Sequence, residues 1–295
     1  NKTAVIEMAA ASGLELLCPE EKNPLHTTSY GTGQLIKEAL DHGCKKIYIG
    51  IGGSATNDGG GGMAMALGAG LLNAIGDDIM MGGGYLSDLH SIDLSEFDKR
   101  IRDCEMIVLS DVLNLLCGEN GASYIYGTQK GADPEMIVKL DLNLKNYGNI
   151  LESVFNKQIV NEPGAGAAGG LGAGLMAFCD AKLLPGFNTI SELVQLEKAI
   201  EASDLVITGE GKLDYQTKFG KVPFGVSQMA KKMKKPVIGI AGRLGKDYKE
   251  LYNFGFQKIY SISEGIESLE YSIANAESLL INASEKIISS IFIDL

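Results

Sequence analysis

A glycine-rich loop with several polar residues is the first segment whose composition suits ligand binding. It spans residues 50–62 and lies between an apolar, strand-like run and an apolar, helix-like run. Its glycines let backbone N–H groups approach an anion, and the N-terminus of the next helix adds partial positive charge. A purely structural glycine turn is the alternative. We expect Gly52 and Gly53 to let the backbone approach an anion and Ser54, Thr56 and Asn57 to form hydrogen bonds with a ligand. Asp58 could hold Mg²⁺ or accept a proton.

A second candidate site begins where another predicted strand ends. Asp111 directly follows the apolar run 106–110, and the carboxyl end of a parallel strand is a frequent place for ligand-binding residues. Further along the chain, Lys130 lies between Gly127 and Gly131, where the permissive backbone lets a lysine reach a phosphate or carboxylate. An ordinary surface lysine is the alternative for Lys130.

A third segment, residues 163–174, is again rich in glycine. Gly164, Gly166 and Gly169 have the spacing of the dinucleotide-binding fingerprint. That fingerprint requires a preceding strand, and only a short apolar pair at 159–160 is present here. The segment is therefore predicted either to face an anion or to let a helix pack closely. A nicotinamide-dependent oxidoreductase stays open as an alternative function.

A fourth segment, residues 208–217, combines acids and a cation after an apolar strand. Glu210, Lys212 and Asp214 alternate with glycine and leucine, so that acid, base and cation can converge on one site. Phosphoryl transfer to an alcohol needs such a set. A carboxylate accepts the hydroxyl proton, while a cation and Mg²⁺ offset the charge on the transferred group. A solvated charged loop is the alternative.

These loops need a scaffold that holds them, and the hydrophobic pattern predicts one. Apolar, β-branched runs alternate with helical segments, which indicates an α/β fold with mostly parallel sheets. Strands are predicted at 4–8, 46–51, 106–110, 205–208, 236–241 and 258–262. Helices are predicted at 32–42, 61–72, 134–155, 167–181, 223–232 and 267–291. Ser29 and Asp133 are predicted to cap helix N-termini, and Gly43 to follow a helix C-terminus.

Composition excludes several classes of protein. The 295 residues have a net charge of −11 and no basic patch of the kind that binds nucleic acid. No apolar run approaches the roughly 20 residues of a membrane helix. The five cysteines have no metal or redox spacing, which suits free thiols in a reducing cytoplasm. The sequence also has no P-loop of the form Gly-x4-Gly-Lys-[Ser/Thr].

Together these segments resemble the glycerate kinase family, the two-domain type found in many bacteria. The resemblance runs in order along the chain at residues 2–13, 28–33, 50–62, 120–133, 163–172, 204–217 and 241–242. It implies a flavodoxin-like, three-layer α/β domain over 1–195. It also implies the C-terminal half of a second Rossmann-like or restriction-endonuclease-like α/β domain over 196–295. The family's N-terminal motifs are absent and the chain opens on a strand-like run, so we expect an N-terminally truncated member.

The resemblance also implies an activity. Members transfer the γ-phosphoryl group of ATP to D-glycerate and require Mg²⁺, so ATP and D-glycerate are the expected partners. A homodimer is a possible assembly. Our hypothesis makes Asp214 the first and Asp111 the second choice of general base. Lys212 and Lys130 steady the phosphoryl group or the glycerate carboxylate, and Asp58 or Glu210 binds Mg²⁺. The glycine loops, including Gly164, Gly166 and Gly169, bind the anionic groups. A non-catalytic remnant that only binds ligand is the other alternative.

Overall fold

The computed structural model describes residues 2–266 and 268–293. The chain divides into two compact units, Asn1–Gly186 (unit 1) and Phe187–Leu295 (unit 2). The domain border expected between residues 195 and 196 lies beyond this division and stays a prediction. Both units have helices and parallel sheets, which confirms the α/β class predicted from the sequence.

Unit 1 is built on a parallel sheet with the strand order β1-β2-β5-β6. The middle of β2 is fully buried, since Ile47 and Ile49 have no exposed surface and Tyr48 has little. Burial on both faces explains why this strand is a continuous apolar run. A separate antiparallel pair joins β3 and β4. The strands of unit 1 are β1 (Lys2–Glu7), β2 (Cys44–Gly50), β3 (Gly70–Leu72), β4 (Ser91–Asp93), β5 (Glu105–Leu109) and β6 (Lys182–Leu184).

The helices of unit 1 enclose this sheet with a largely apolar core. Met63, Leu144 and Leu171, from three different helices, are completely buried in that core. The helices are α1 (Ala9–Ser12), α2 (Tyr30–Asp41), α3 (Gly61–Ala66), α4 (Ala122–Tyr126), α5 (Pro134–Phe155) and α6 (Leu171–Cys179).

Unit 2 contains a smaller parallel sheet of strand order β7-β8-β9. Its core joins Leu213, Val237 and Phe256 of the strands to Ala230 of α9. No helix among the described residues is both long and apolar enough to cross a membrane. The elements of unit 2 are α7 (Gly186–Leu193, which begins at the division), α8 (Leu196–Glu201), β7 (Val206–Leu213), α9 (Val222–Lys232), β8 (Val237–Leu244), β9 (Phe256–Ser261), α10 (Leu269–Ala274) and α11 (Ala276–Ile293).

Two predicted helices are wrong at one end, for reasons of backbone conformation. The helix expected over 61–72 ends at Ala66, because Gly68 adopts a φ of +93° and the chain then turns into β3. The helix expected over 167–181 begins only at Leu171, because residues 168–170 all have positive φ. A left-handed backbone cannot continue a right-handed helix.

The C-terminal helix expected over 267–291 is two helices instead of one. Residue 267, where the prediction starts, lies outside the described residues. From there on, α10 and α11 are separated at Asn275, which has a φ of −113° and a ψ of 18°. Of the predicted caps, Ser29 precedes α2 but its side chain makes no capping hydrogen bond, whereas Gly43, with a φ of +76°, follows the helix as predicted.

Replacing Asp133 by Ala should lower the free energy of unfolding by about 1 kcal/mol. The Asp133 carboxylate precedes α5 and accepts a hydrogen bond from the Met136 N–H at 2.8 Å, so its loss leaves a helix donor unsatisfied. Urea unfolding followed by circular dichroism measures the change. Asp133→Ser is the control, because serine caps helices equally well. A destabilisation of the same size in both variants would contradict a capping role.

Candidate functional site

The loop after β2 and the loop before α5 meet in unit 1 through a buried lysine. Lys130 is only 1% exposed, so it is not the surface lysine that was the alternative. Its ammonium donates to Ser54 Oγ at 2.7 Å and to the carbonyl oxygen of Thr56 at 2.6 Å. The fold thus brings together two of the predicted site residues, Ser54 and Lys130, that lie far apart in the sequence.

Burial changes the acid–base chemistry of this lysine. It lowers the pKa of Lys130 from the ordinary 10.5 to about 7, and the negative charge of Asp58 partly opposes that shift. A lysine in this range exists as a mixture of ammonium and neutral amine near neutral pH. Lys130 is therefore a group whose charge can respond to a ligand.

Asp58 is held by the start of α3 and by the start of α2. Its Oδ2 accepts hydrogen bonds from the Ser29 N–H at 2.7 Å, the Ser29 hydroxyl at 2.9 Å and the Gly62 N–H at 3.2 Å. Its Oδ1 accepts from the Gly60 N–H at 3.2 Å. Both oxygens are thus engaged in the buried interior. Its role as a metal ligand stays a prediction.

Two neighbours of Asp58 keep polar atoms without partners. The Asn57 amide donates to Ser123 Oγ at 2.9 Å, yet Asn57 Oδ1 has no hydrogen-bond partner in the described part of the chain. The hydroxyl of Thr56 is also buried there without a partner. Buried polar atoms are seldom left unpaired, and such atoms point to a functional reason or a bound molecule. The loop 54–57 is therefore the part of unit 1 with the most unused polar capacity.

The glycines of the third segment pack closely against this loop. A Cβ at Gly169 would lie 1.9 Å from the Thr56 carbonyl oxygen, and one at Gly166 would lie 2.0 Å from the Leu115 carbonyl oxygen. Gly164, Gly166 and Gly169 are all buried. Residues 156–170 contain no strand, so the dinucleotide fingerprint lacks its structural context. Close packing explains these glycines, and their role as ATP ligands stays a prediction.

Asp111 lies at the carboxyl end of β5, as predicted. It is exposed, and its Oδ1 accepts a hydrogen bond from the Gly186 N–H at 3.0 Å. Among the described residues, Asp111 forms no hydrogen bond or ion pair with Ser54 or Lys130. The second choice of general base is thus separate from the buried lysine.

Unit 2 places the acids and cations of the fourth segment on and just after β7. Lys212 Nζ lies 3.0 Å from Asp214 Oδ2, and Lys221 Nζ lies 3.1 Å from Glu210 Oε1. The Lys212 ammonium holds the pKa of Asp214 below its usual value. Asp214 Oδ1 also accepts from the Gln216 N–H at 2.9 Å, which fixes the carboxylate. The structure therefore provides an ionised, oriented carboxylate beside a cation.

A large cavity of unit 2 lies beside these residues. It has a volume of about 940 Å³ and is bounded by β7, β8 and the two C-terminal helices. Glu210 and Lys212 line it, and Glu210 Oε2 is buried without a hydrogen-bond partner in the described part of the chain. Among residues 2–266 and 268–293, no group of three or more acidic, histidine or cysteine side chains could hold a metal ion.

Sequence reasoning missed the residues that hold the loops in place. Ser29 was predicted only as a helix cap, yet its N–H and hydroxyl both donate to Asp58. Ser123 lies in the segment 120–133 that carried the resemblance but was not predicted as a site residue, although its hydroxyl accepts a hydrogen bond from the Asn57 amide. These contacts join residues that are distant in the chain, so no spacing within one motif reveals them.

Comparisons with known proteins agree with this architecture. Residues 1–292 match the profile of the Glycerate kinase family. Glycerate 2-kinase of Escherichia coli K12 is 49% identical over 295 residues, which cover 100% of this chain and 77% of that protein. Glycerate kinase of Halalkalibacterium halodurans is 49% identical over 287 residues, which cover 97% of this chain and 76% of that protein.

A solved structure gives the same result in three dimensions. The crystal structure of putative glycerate kinase 2 from Salmonella typhimurium LT2 superposes with a TM-score of 0.82 at 46% sequence identity. The match covers 99% of this chain and 76% of that one. The resemblance found in the motifs is therefore confirmed over nearly the whole length, and the chain belongs to the glycerate kinase family.

Proposed function

We propose that this chain is a glycerate kinase that transfers the γ-phosphoryl group of ATP to D-glycerate and releases phosphoglycerate and ADP. The main support is the family match over residues 1–292, together with relatives of that name at 46–49% identity. The fixed Asp214 carboxylate next to the Lys212 ammonium supplies the chemistry that such a transfer requires.

In this proposal Asp214 is the general base. Lys212 lowers the pKa of this carboxyl further below neutral pH, and the hydrogen bond from Gln216 holds its orientation towards the proton of the glycerate hydroxyl that it would accept. The Lys212 side chain is 61% exposed, which leaves its ammonium able to turn towards the transferred phosphoryl group. Its positive charge would stabilise the charge that develops there.

Mg²⁺ enters this proposal as part of the co-substrate MgATP. Magnesium sites in kinases use one or two carboxylates together with phosphate oxygens and water, so a cluster of three protein ligands is not required. Glu210 fits such a single ligand, because the residue lines the cavity of unit 2 and its Oε2 has no hydrogen-bond partner among the described residues. The Mg²⁺ would offset phosphate charge during the transfer.

We extend the proposal to location and assembly. The cysteines of unit 1 that are buried are free thiols, which suits a reducing cytoplasm. The net charge of −11 argues against nucleic acid as a partner. The homodimer stays a prediction, which analytical ultracentrifugation tests directly.

A coupled assay tests the activity. With D-glycerate, ATP and Mg²⁺, the purified chain should release ADP at a rate that depends on glycerate and stops when Mg²⁺ is chelated. Calorimetric titration with ATP measures nucleotide binding separately from turnover. Binding of ATP without any glycerate-dependent ADP release would instead favour the non-catalytic alternative and would contradict the proposal.

A further inference from the structure

The buried ammonium of Lys130 has more hydrogen-bonding capacity than the protein uses. It can donate three protons, and the described residues offer it two acceptors, Ser54 Oγ and the Thr56 carbonyl oxygen. No carboxylate forms an ion pair with it among these residues. A buried cation without a counter-ion is costly, so it favours an anion nearby.

The Ser54 hydroxyl is an acceptor for this ammonium and also has a proton of its own to donate. Its oxygen accepts a hydrogen bond from Lys130, so its own proton must point elsewhere, and it donates to no acceptor in the part of the chain that the structure describes. Ser54 is 6% exposed and directly follows the exposed turn of Gly52 and Gly53. The N–H groups of these two glycines donate to no protein acceptor among the described residues.

The loop thus has three hydrogen-bond donors without a protein acceptor among the described residues, and the third of them, the Ser54 hydroxyl, contacts the Lys130 ammonium. We propose that the Gly52 and Gly53 N–H groups and the Ser54 hydroxyl bind an oxyanion of the substrates, and that Lys130 is the positioning residue that aims the Ser54 proton at it. The ligand identity rests on the function proposed above, which supplies two oxyanions of the required kind: the glycerate carboxylate and a phosphate of ATP.

The charge of Lys130 should link this binding to pH. The ammonium form attracts the oxyanion and donates to Ser54, so that the Ser54 proton points away from Lys130. A neutral amine can instead accept a hydrogen bond from the Ser54 hydroxyl, which then no longer points at the oxyanion. The pKa of about 7 places this change in the neutral range. The charged group that acts on Lys130 within the described residues is Asp58, which is buried and hydrogen-bonded on both oxygens. Affinity should therefore fall as the pH rises through about 7.

Steady-state kinetics with each substrate varied in turn test the proposal. In the wild type, KM for one substrate should rise about tenfold or more between about pH 6.5 and about pH 8.5, while kcat changes little. If the KM for glycerate changes in this way, the ligand is the glycerate carboxylate. If the KM for ATP changes, the ligand is a phosphate. Ser54→Ala should raise the same KM about tenfold to a hundredfold, since it removes a hydrogen bond to a charged group.

Lys130→Gln isolates the charge. Glutamine keeps an N–H donor but has no charge, so KM should be raised and its pH dependence should disappear, apart from the titration of the free substrate. Lys139→Gln removes an exposed lysine of α5 and should match the wild type. Thermal melting confirms that each variant folds. If Lys130→Gln does not fold, the KM of Ser54→Ala and the pH dependence of the wild-type KM still test the proposal. Unchanged KM values in Ser54→Ala, or a pH-independent wild type, would overturn the inference. Absence of any glycerate-dependent turnover would instead overturn the proposed function.

Discussion

Replacing Asp214 by Asn should lower turnover by about 10²-fold or more, with little change in KM. The amide cannot accept the substrate proton, whereas it preserves the shape of the side chain and the Oδ1 acceptor for Gln216. Stopped-time assays of ADP release at saturating ATP and glycerate measure this effect. Because the pKa of Asp214 lies below its usual value, the wild-type carboxylate is ionised at neutral pH. Protonation of this carboxylate should therefore reduce turnover only at acidic pH.

An exposed aspartate of the same unit provides the control. Asp204 precedes β7, and Asp204→Asn removes one negative charge without touching the Asp214–Lys212 pair. It should have wild-type turnover. Near-normal turnover in Asp214→Asn would reject Asp214 as the base, and Asp111→Asn would then be the variant to measure.

Replacing Gly169 by Ala should destabilise unit 1 by about 3 kcal/mol or more. The new Cβ would lie 1.9 Å from the Thr56 carbonyl oxygen, and Gly169 has a φ of +69°, which alanine seldom adopts. That same carbonyl accepts the hydrogen bond from Lys130, so the loop 54–57 would have to move. Urea unfolding measures the stability, and the KM of the folded protein shows whether the loop 54–57 has moved.

Gly118→Ala separates the clash from the backbone strain. Gly118 also has a positive φ, of +90°, but a Cβ there would meet no atom within 4 Å. Its replacement should therefore lower stability by only about 1 to 2 kcal/mol. Equal losses in the two variants would show that steric contact with Thr56 contributes nothing, contrary to the packing described for these glycines.

Local patterns in the sequence predicted the scaffold well. Most of β5 and the middle of β2 are apolar runs that are buried on both faces, and that pattern needs no tertiary knowledge. Helix α5 was predicted with its bounds, because Asp133 caps it and Pro134 suits its first position. The strand β6, with three residues and exposed ends, has too little apolar periodicity to be recognised.

The candidate site was only partly predictable, since it depends on contacts between distant segments. The glycine loop indicated Ser54 and the second loop indicated Lys130, yet only the fold shows that the two side chains touch. Asp58 has the residue type of a metal ligand, but hydrogen bonds from Ser29 and the start of α3 occupy it. Residue type therefore identified the polar loops, and tertiary packing determines which of their side chains contact one another.

Phosphorus NMR of the reaction mixture tests the central claim most directly. With the wild-type chain, MgATP and D-glycerate, the γ-phosphate signal of ATP should be replaced by the signals of ADP and of a phosphate monoester on glycerate. The Asp214→Asn chain should leave ATP almost unchanged over the same time. Persistence of ATP with the folded wild-type chain, or release of inorganic phosphate without any glycerate ester, would contradict the assignment of phosphoryl transfer to glycerate.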